Sequence, residues 1–200
     1  MENVDAIMHG YNEIIDEIKE IMEAFYGEYT EHNGVIRAVT GPLGITNVHA
    51  IVDILPEMGM NPNIPYPVVH FVITLAKDIP QEYESSIKAT LQDLNLELAI
   101  GRYPAFGCFC YEPQRRQIFL DYRLPVNSDA PEKEMANLRY YFGTLYEELD
   151  LFADFIMYIC DNEGHMPTLD KYLDYLDMIV DIDDYEERLQ LFRESMGDIN

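Results

Sequence analysis

Four residues on two strand-like runs have the types and spacing for acid–base chemistry. If 45–55 and 68–75 are strands, alternation puts His49, Asp53, His70 and Thr74 on one face, opposite Val48, Ala50, Val52 and Phe71. An imidazole beside a carboxylate is the usual proton-transfer pair. A polar sheet face that meets a partner is the simpler account, so the four are read as a partner-binding patch, with a small hydrolase or metal-dependent enzyme as the alternative. Cys108 and Cys110 share a strand face and could bind a soft metal, but zinc wants four ligands, no second cysteine pair exists and Cys160 is remote. Buried structural thiols are expected instead.

Asp170, Asp174, Asp177, Asp181 and Asp184 follow helical spacing opposite Leu169, Leu173 and Leu176. Paired aspartates can hold magnesium through phosphates, yet this stripe reads as a solvated face or a dock for a basic partner. Asp161-Asn162-Glu163-Gly164 places its glycine two positions too early for a calcium loop. No nucleophile elbow, phosphate-cradling glycine loop or dinucleotide fingerprint occurs. No catalytic residue, metal or cofactor is therefore assigned.

The elements that must position these residues follow from hydrophobic periodicity. Ile7, Tyr11, Ile14, Ile18, Ile21 and Phe25 form one stripe of a first helix, closed off by Gly27 and Gly34. Residues 35–40 and 45–55 read as a hairpin around Gly41-Pro42-Leu43-Gly44, and the proline-rich segment 56–67 as a loop. After the strand 68–75, Asp78-Ile79-Pro80 opens a second helix running to about Leu98. Residues 105–111 and 117–124 form another hairpin, with Ile118, Leu120, Tyr122 and Leu124 on one face and Asp121 and Arg123 on the other.

A long helix follows from Ser128–Pro131, striped by Leu138, Phe142, Leu145, Leu149, Phe152, Ile156 and Ile159 and broken at Asn162–His165. Helix one, the sheet or a second copy could each cover that stripe. Beyond Pro167, Leu169, Leu173, Leu176 and Val180 predict an amphipathic helix, and Leu189 and Phe192 a shorter one. Two units are expected: an α+β domain over 1–162 and an acidic helical extension over 163–200 packed on it.

Thirty-seven acidic against thirteen basic residues give a net charge of −24, which repels nucleic acid and anionic membranes and favours basic partners. Sixteen acids against three bases lie from Glu147 onward, so the C-terminal region carries much of it. The start Met1-Glu2-Asn3-Val4-Asp5 has no basic, apolar leader pattern, and three cysteines make no disulfide framework. A cytoplasmic protein is expected. Fifteen tyrosines without tryptophan suit a contact surface, core tyrosines being the plainer reading.

The stretch Leu94–Tyr103, then Cys108-Phe109-Cys110-Tyr111-Glu112, then Ile118–Val126 resembles the YbjN-like, type III secretion chaperone-like group. In that group a helix and glycine lead into a strand, a short acidic turn and a second strand ending near a leucine-proline pair. The resemblance spans about Val4 to Cys160 and implies a bacterial α+β domain with one antiparallel sheet flanked by helices; the elements read above give the order α-β-β-β-α-β-β-α plus C-terminal helices. It also implies a non-enzymatic protein-binding role, with a client segment or regulatory partner, and a homodimer. The prolines of 56–67 and the helices after Pro167 depart from the group's pattern.

Overall fold

The computed structural model describes residues 2–57, 68–101, 103, 106–127, 130–161 and 169–197, and side chains within these from residue 9 on, Pro131 excepted. Six strands form one antiparallel sheet in the order β1-β2-β3-β4-β6-β5: β1 (Tyr29–His32), β2 (Val35–Val39), β3 (Ile51–Glu57), β4 (Val68–Ala76), β5 (Cys108–Glu112) and β6 (Gln117–Pro125). Around it stand α1 (Glu2–Tyr26), α2 (Glu84–Ala99), α3 (Pro131–Asp161), α4 (Leu169–Ile179) and α5 (Tyr185–Met196). This is the expected α+β class, with one strand more than the sequence suggested.

The added strand is β1. It pairs with β2 through a two-residue loop, Asn33-Gly34, whose residues both have positive φ (52° and 77°), as the tightest hairpin turn requires. The next connection is longer than expected. β3 starts at Ile51, because Thr40 N bonds to Ala50 O and Thr40 Oγ1 accepts Ala50 N, closing a loop over 41–49 that holds a bridge between Leu43 and Val48. Its other end reaches Glu57, so Pro56 lies in a strand opposite Val69 and not in a loop; residues 58–67 are outside the described residues. Asp78 does not cap α2. It sits at φ 57° in a turn, ion-pairs with Arg116, and is followed by a 3-10 turn (Gln81–Tyr83) before the helix begins.

The helices pack on one sheet face, where Ile36, Ala38, Val52, Ile54, Val69, Phe71, Ile73, Ile118 and Leu120 are buried. At 31 residues α3 is about 46 Å long, and the whole predicted stripe from Leu138 to Ile159 is buried. Several neighbours share that stripe. Phe142 meets Phe71 of β4 edge-on at 5.2 Å and Phe25 of α1 at 6.3 Å, while Phe155 stacks on Tyr172 of α4 at 5.0 Å. Tyr158 donates to Met196 O at 2.6 Å, which ties the end of α5 to the same helix. The C-terminal helices thus extend the core with Tyr172, Tyr175, Leu176 and Phe192, and Tyr11, Tyr158, Tyr172 and Tyr175 are core tyrosines.

Two stripe residues break the expected pattern: Phe25 is 42% exposed and Val180 is 75% exposed beyond the end of α4. The side chain of Ile7, residues Ser128 and Ala105, the break at Asn162–His165 and the boundary at 162–163 lie outside the described residues. Edge strand β5 is closed by a side chain. Asn95 of α2 donates Nδ2 to Phe109 O (2.9 Å) and accepts Phe109 N on Oδ1 (2.8 Å), occupying the pair of groups a further strand would use.

Candidate functional site

Strand register puts Asp53, His70 and Thr74 on the sheet face away from α1 and α3, as alternation predicts. Asp53 stands opposite Val72, His70 opposite Leu55 and Arg123, and Thr74 opposite Ile51 and Phe119. His49 does not join them. It lies exposed in the 41–49 loop with Nδ1 2.8 Å from Thr40 O, because the strand that was to carry it starts two residues later. The patch of four is therefore a patch of three, and Thr74 within it is buried.

The charged groups at the centre of this face are already engaged. Arg37 forks onto Asp53, Nε to Oδ1 at 2.6 Å and Nη2 to Oδ2 at 2.7 Å, which raises the guanidinium's affinity for its proton further. His70 sits between two carboxylates, Nδ1 3.0 Å from Glu57 Oε1 and Nε2 2.5 Å from Asp121 Oδ1. Arg123 lies 3.7 Å from the other Glu57 oxygen. With both ring nitrogens held, His70 braces β3 to β6 across β4.

Between the charged groups run apolar side chains. Val35, Ile51, Leu55, Val72 and Phe119 are half-buried and Val39 is half exposed, all on the same face. Cys108 and Cys110 border it on β5. The expectation of buried thiols fails for Cys108, which is exposed because its strand face has no helix partner of the kind that covers Phe109, and is met only halfway by Cys110 and Cys160, which are half-buried. Burial pushes the Cys110 thiol up, helped by Asp121 and Cys108, and pushes Cys160 up to about 12, so neither offers a ready thiolate.

A second arrangement went unforeseen in the sequence. Three acids of α3, spaced over two turns, reach loops of the domain. Glu148 is fully buried, with Oε2 accepting Phe106 N at 3.0 Å. Asp154 is 4% exposed and accepts Ile45 N (2.9 Å), Thr46 N (2.9 Å) and Thr46 Oγ1 (2.6 Å), while Asp150 accepts Gly44 N (2.8 Å). Successive amides of residues 44–46 thus wrap two carboxylates, a backbone anion cradle filled by the protein's own side chains. Gly44 is required here: it has φ 60°, and a Cβ would lie 2.5 Å from Asp154 Oδ1.

Beside the cradle, between α3, α4 and α5, is a cavity of about 180 Å³. Tyr172 donates to Leu151 O at 2.6 Å on one wall and Tyr185 to Ile45 O at 2.9 Å on another. Arg188 points its Nε at Ile182 O, and Asp183 faces the same space. The five aspartates of the predicted stripe are exposed; Asp184 caps α5 by accepting Glu187 N, and Asp177 accepts from Tyr103 at 3.3 Å. Among the described residues no three His, Cys, Asp or Glu side chains are grouped to hold a metal ion, and no helix is long and apolar enough to cross a membrane.

No family model matches the chain, and no curated protein or solved structure matches it.

Proposed function

We propose that this chain is a non-enzymatic protein-binding domain that takes a segment of a partner protein on the open face of its sheet. One observation carries the reading: Val35, Val39, Ile51, Leu55, Val72 and Phe119 line up on the face away from the helices, between ion pairs that are already closed. Antiparallel sheets commonly leave one face to water, but that face is then mostly polar. An apolar strip rimmed by fixed charges suits contact with a folded or amphipathic partner. The likeness to secretion chaperone-like domains points the same way, as does a charge of −24, which favours basic flanks on the partner. A cytoplasmic setting and a homodimer belong to the same proposal.

The hydrolase alternative draws no support from the geometry, since His49, Asp53 and His70 do not converge and each is spent on a neighbour.

The test is a titration with a synthetic lysine–leucine amphipathic peptide, read by the amide spectrum of labelled protein, alongside light scattering of the free chain. Val39→Glu and Val72→Glu place charges on the strip without touching the core. Peptide shifts confined to β2, β3, β4 and β6, and lost in both variants, support the proposal. Shifts scattered over the acidic surface and unchanged in the variants overturn it.

A further inference from the structure

We infer that the cavity between α3, α4 and α5 is a binding site for a small organic cation, an alkylammonium or guanidinium compound. Its walls come from four stretches of chain, and its chemistry from Asp150, Asp183, Arg188 and the rings of Tyr172, Tyr175 and Tyr185. Carboxylates beside several tyrosine faces form the usual environment for an organic cation, which gains ion pairing on one side and ring quadrupoles on the other.

The count of charges favours a cation over an anion. Asp150, Asp154 and Asp183 face one Arg188, and the chain as a whole is strongly negative. Asp154 is committed to the 45–46 loop through three donors, and Arg188 Nε to Ile182 O. Asp183 has no hydrogen bond or ion pair among the described residues.

Independent of the acids is Tyr175. It lines the cavity, is 1% exposed, and its hydroxyl has no hydrogen-bond partner among the described residues. A buried hydroxyl left unpaired is costly, so native proteins rarely tolerate one without a purpose or a guest. Here the hydroxyl stands in the fields of Asp154 of α3 and Arg188 of α5, both of which line the cavity. At about 180 Å³ the space is a little larger than a cavity of about 150 Å³ that holds benzene. Ethylammonium and methylguanidinium fit; a drug-sized ligand does not.

The full-length chain is titrated with ethylammonium, methylguanidinium and tetraethylammonium chlorides, each against sodium chloride at matched ionic strength, and followed by amide shifts and melting temperature. Saturable shifts at Gly44, Ile45 and Tyr185 with the two small cations, beyond those of sodium chloride and absent with tetraethylammonium, are expected. Asp183→Asn is exposed and should fold normally while weakening binding about tenfold. Tyr175→Phe removes only an unpaired hydroxyl, so it should fold at least as well and bind several-fold more weakly. Non-saturating shifts equal to those of sodium chloride overturn the inference. So does binding that neither variant alters, and so does a Tyr175→Phe protein that gains stability with no binding to lose, which makes the space a hydrated void.

Discussion

Glu148 carries a prediction whose size follows from its surroundings. The side chain is fully buried on α3, one oxygen accepts Phe106 N, and the other has no partner among the described residues. Burial lifts the carboxyl from 4.5 to about 7, against the pull of the Phe106 and Gly107 amides. The unfolded chain gives up this proton near 4.5 and the folded chain near 7, so between those values the folded state holds more protons and its stability falls as pH rises. Below the window both states are protonated and above it neither is, and the slope vanishes. The full window is worth about 3 kcal/mol, and the interval from pH 5 to pH 8 about 2.5 kcal/mol. Glu148→Gln has the shape of the protonated acid and cannot titrate. Urea unfolding of both proteins at pH 5, 6, 7 and 8, followed by circular dichroism, should show the wild type losing about 2.5 kcal/mol more than the variant over that range. The raised carboxyls of Asp154 and Asp161 contribute equally to both proteins and cancel in the difference. Parallel curves, within about 0.5 kcal/mol, would refute the reasoning.

Asp154→Ala leaves two buried amides and a hydroxyl without an acceptor, and should cost about 3–5 kcal/mol in urea unfolding against about 1 kcal/mol for Asp150→Ala, which frees one amide. Gly44→Ala forces a Cβ onto the Asp154 carboxylate at positive φ, so its loss of melting temperature should match that of Asp154→Ala rather than that of an ordinary loop change. Asn95→Ala reopens the outer edge of β5 at Phe109; about 1–3 kcal/mol of stability should go, and light scattering should reveal association that rises with concentration. A chain ending at Asp161 exposes Phe152, Phe155, Ile156 and Ile159 to water, and calorimetry should show a broadened, weakly cooperative transition with strong binding of an apolar dye.

Periodicity made the helices and most strands legible, because a buried stripe such as Leu138 to Ile159 leaves few alternatives at helical spacing. Strand β1 is short and exposed, with no apolar alternation to announce it, yet Asn33-Gly34 is the strongest short hairpin signal a sequence offers. The late start of β3 was hidden, since Ile45 and Val48 look like strand residues and are in fact loop residues anchored by the bridge and by α3. That misreading moved His49 onto the sheet. Asp53, His70 and Thr74 were placed on the right face because alternation needs only local register. Their partners Arg37, Glu57 and Asp121 were not legible as partners, since which strands adjoin is decided over the whole sheet. Asp154 did leave a trace: it stands inside the apolar run Phe152-Ala153-Asp154-Phe155-Ile156, where a solvated acid has no place.

The acidity of the chain and the character of its open face pull in different directions, and the difference shapes any partner. Asp53 is matched by Arg37, Glu57 lies beside Arg123, and His70 holds both Glu57 and Asp121, so the acids at the centre of the sheet face all have partners within a chain of net charge −24. A uniformly basic segment would gain little there, because each acid already has a partner and displacing it reopens a closed contact. Apolar side chains gain by covering Val39, Ile51, Val72 and Phe119, and they leave those pairs intact. Positive charge in a partner therefore acts best outside the contact, on flanks that reach the acidic surface beyond the sheet. There it speeds encounter and is weakened by salt, while the apolar strip sets how long the complex lasts.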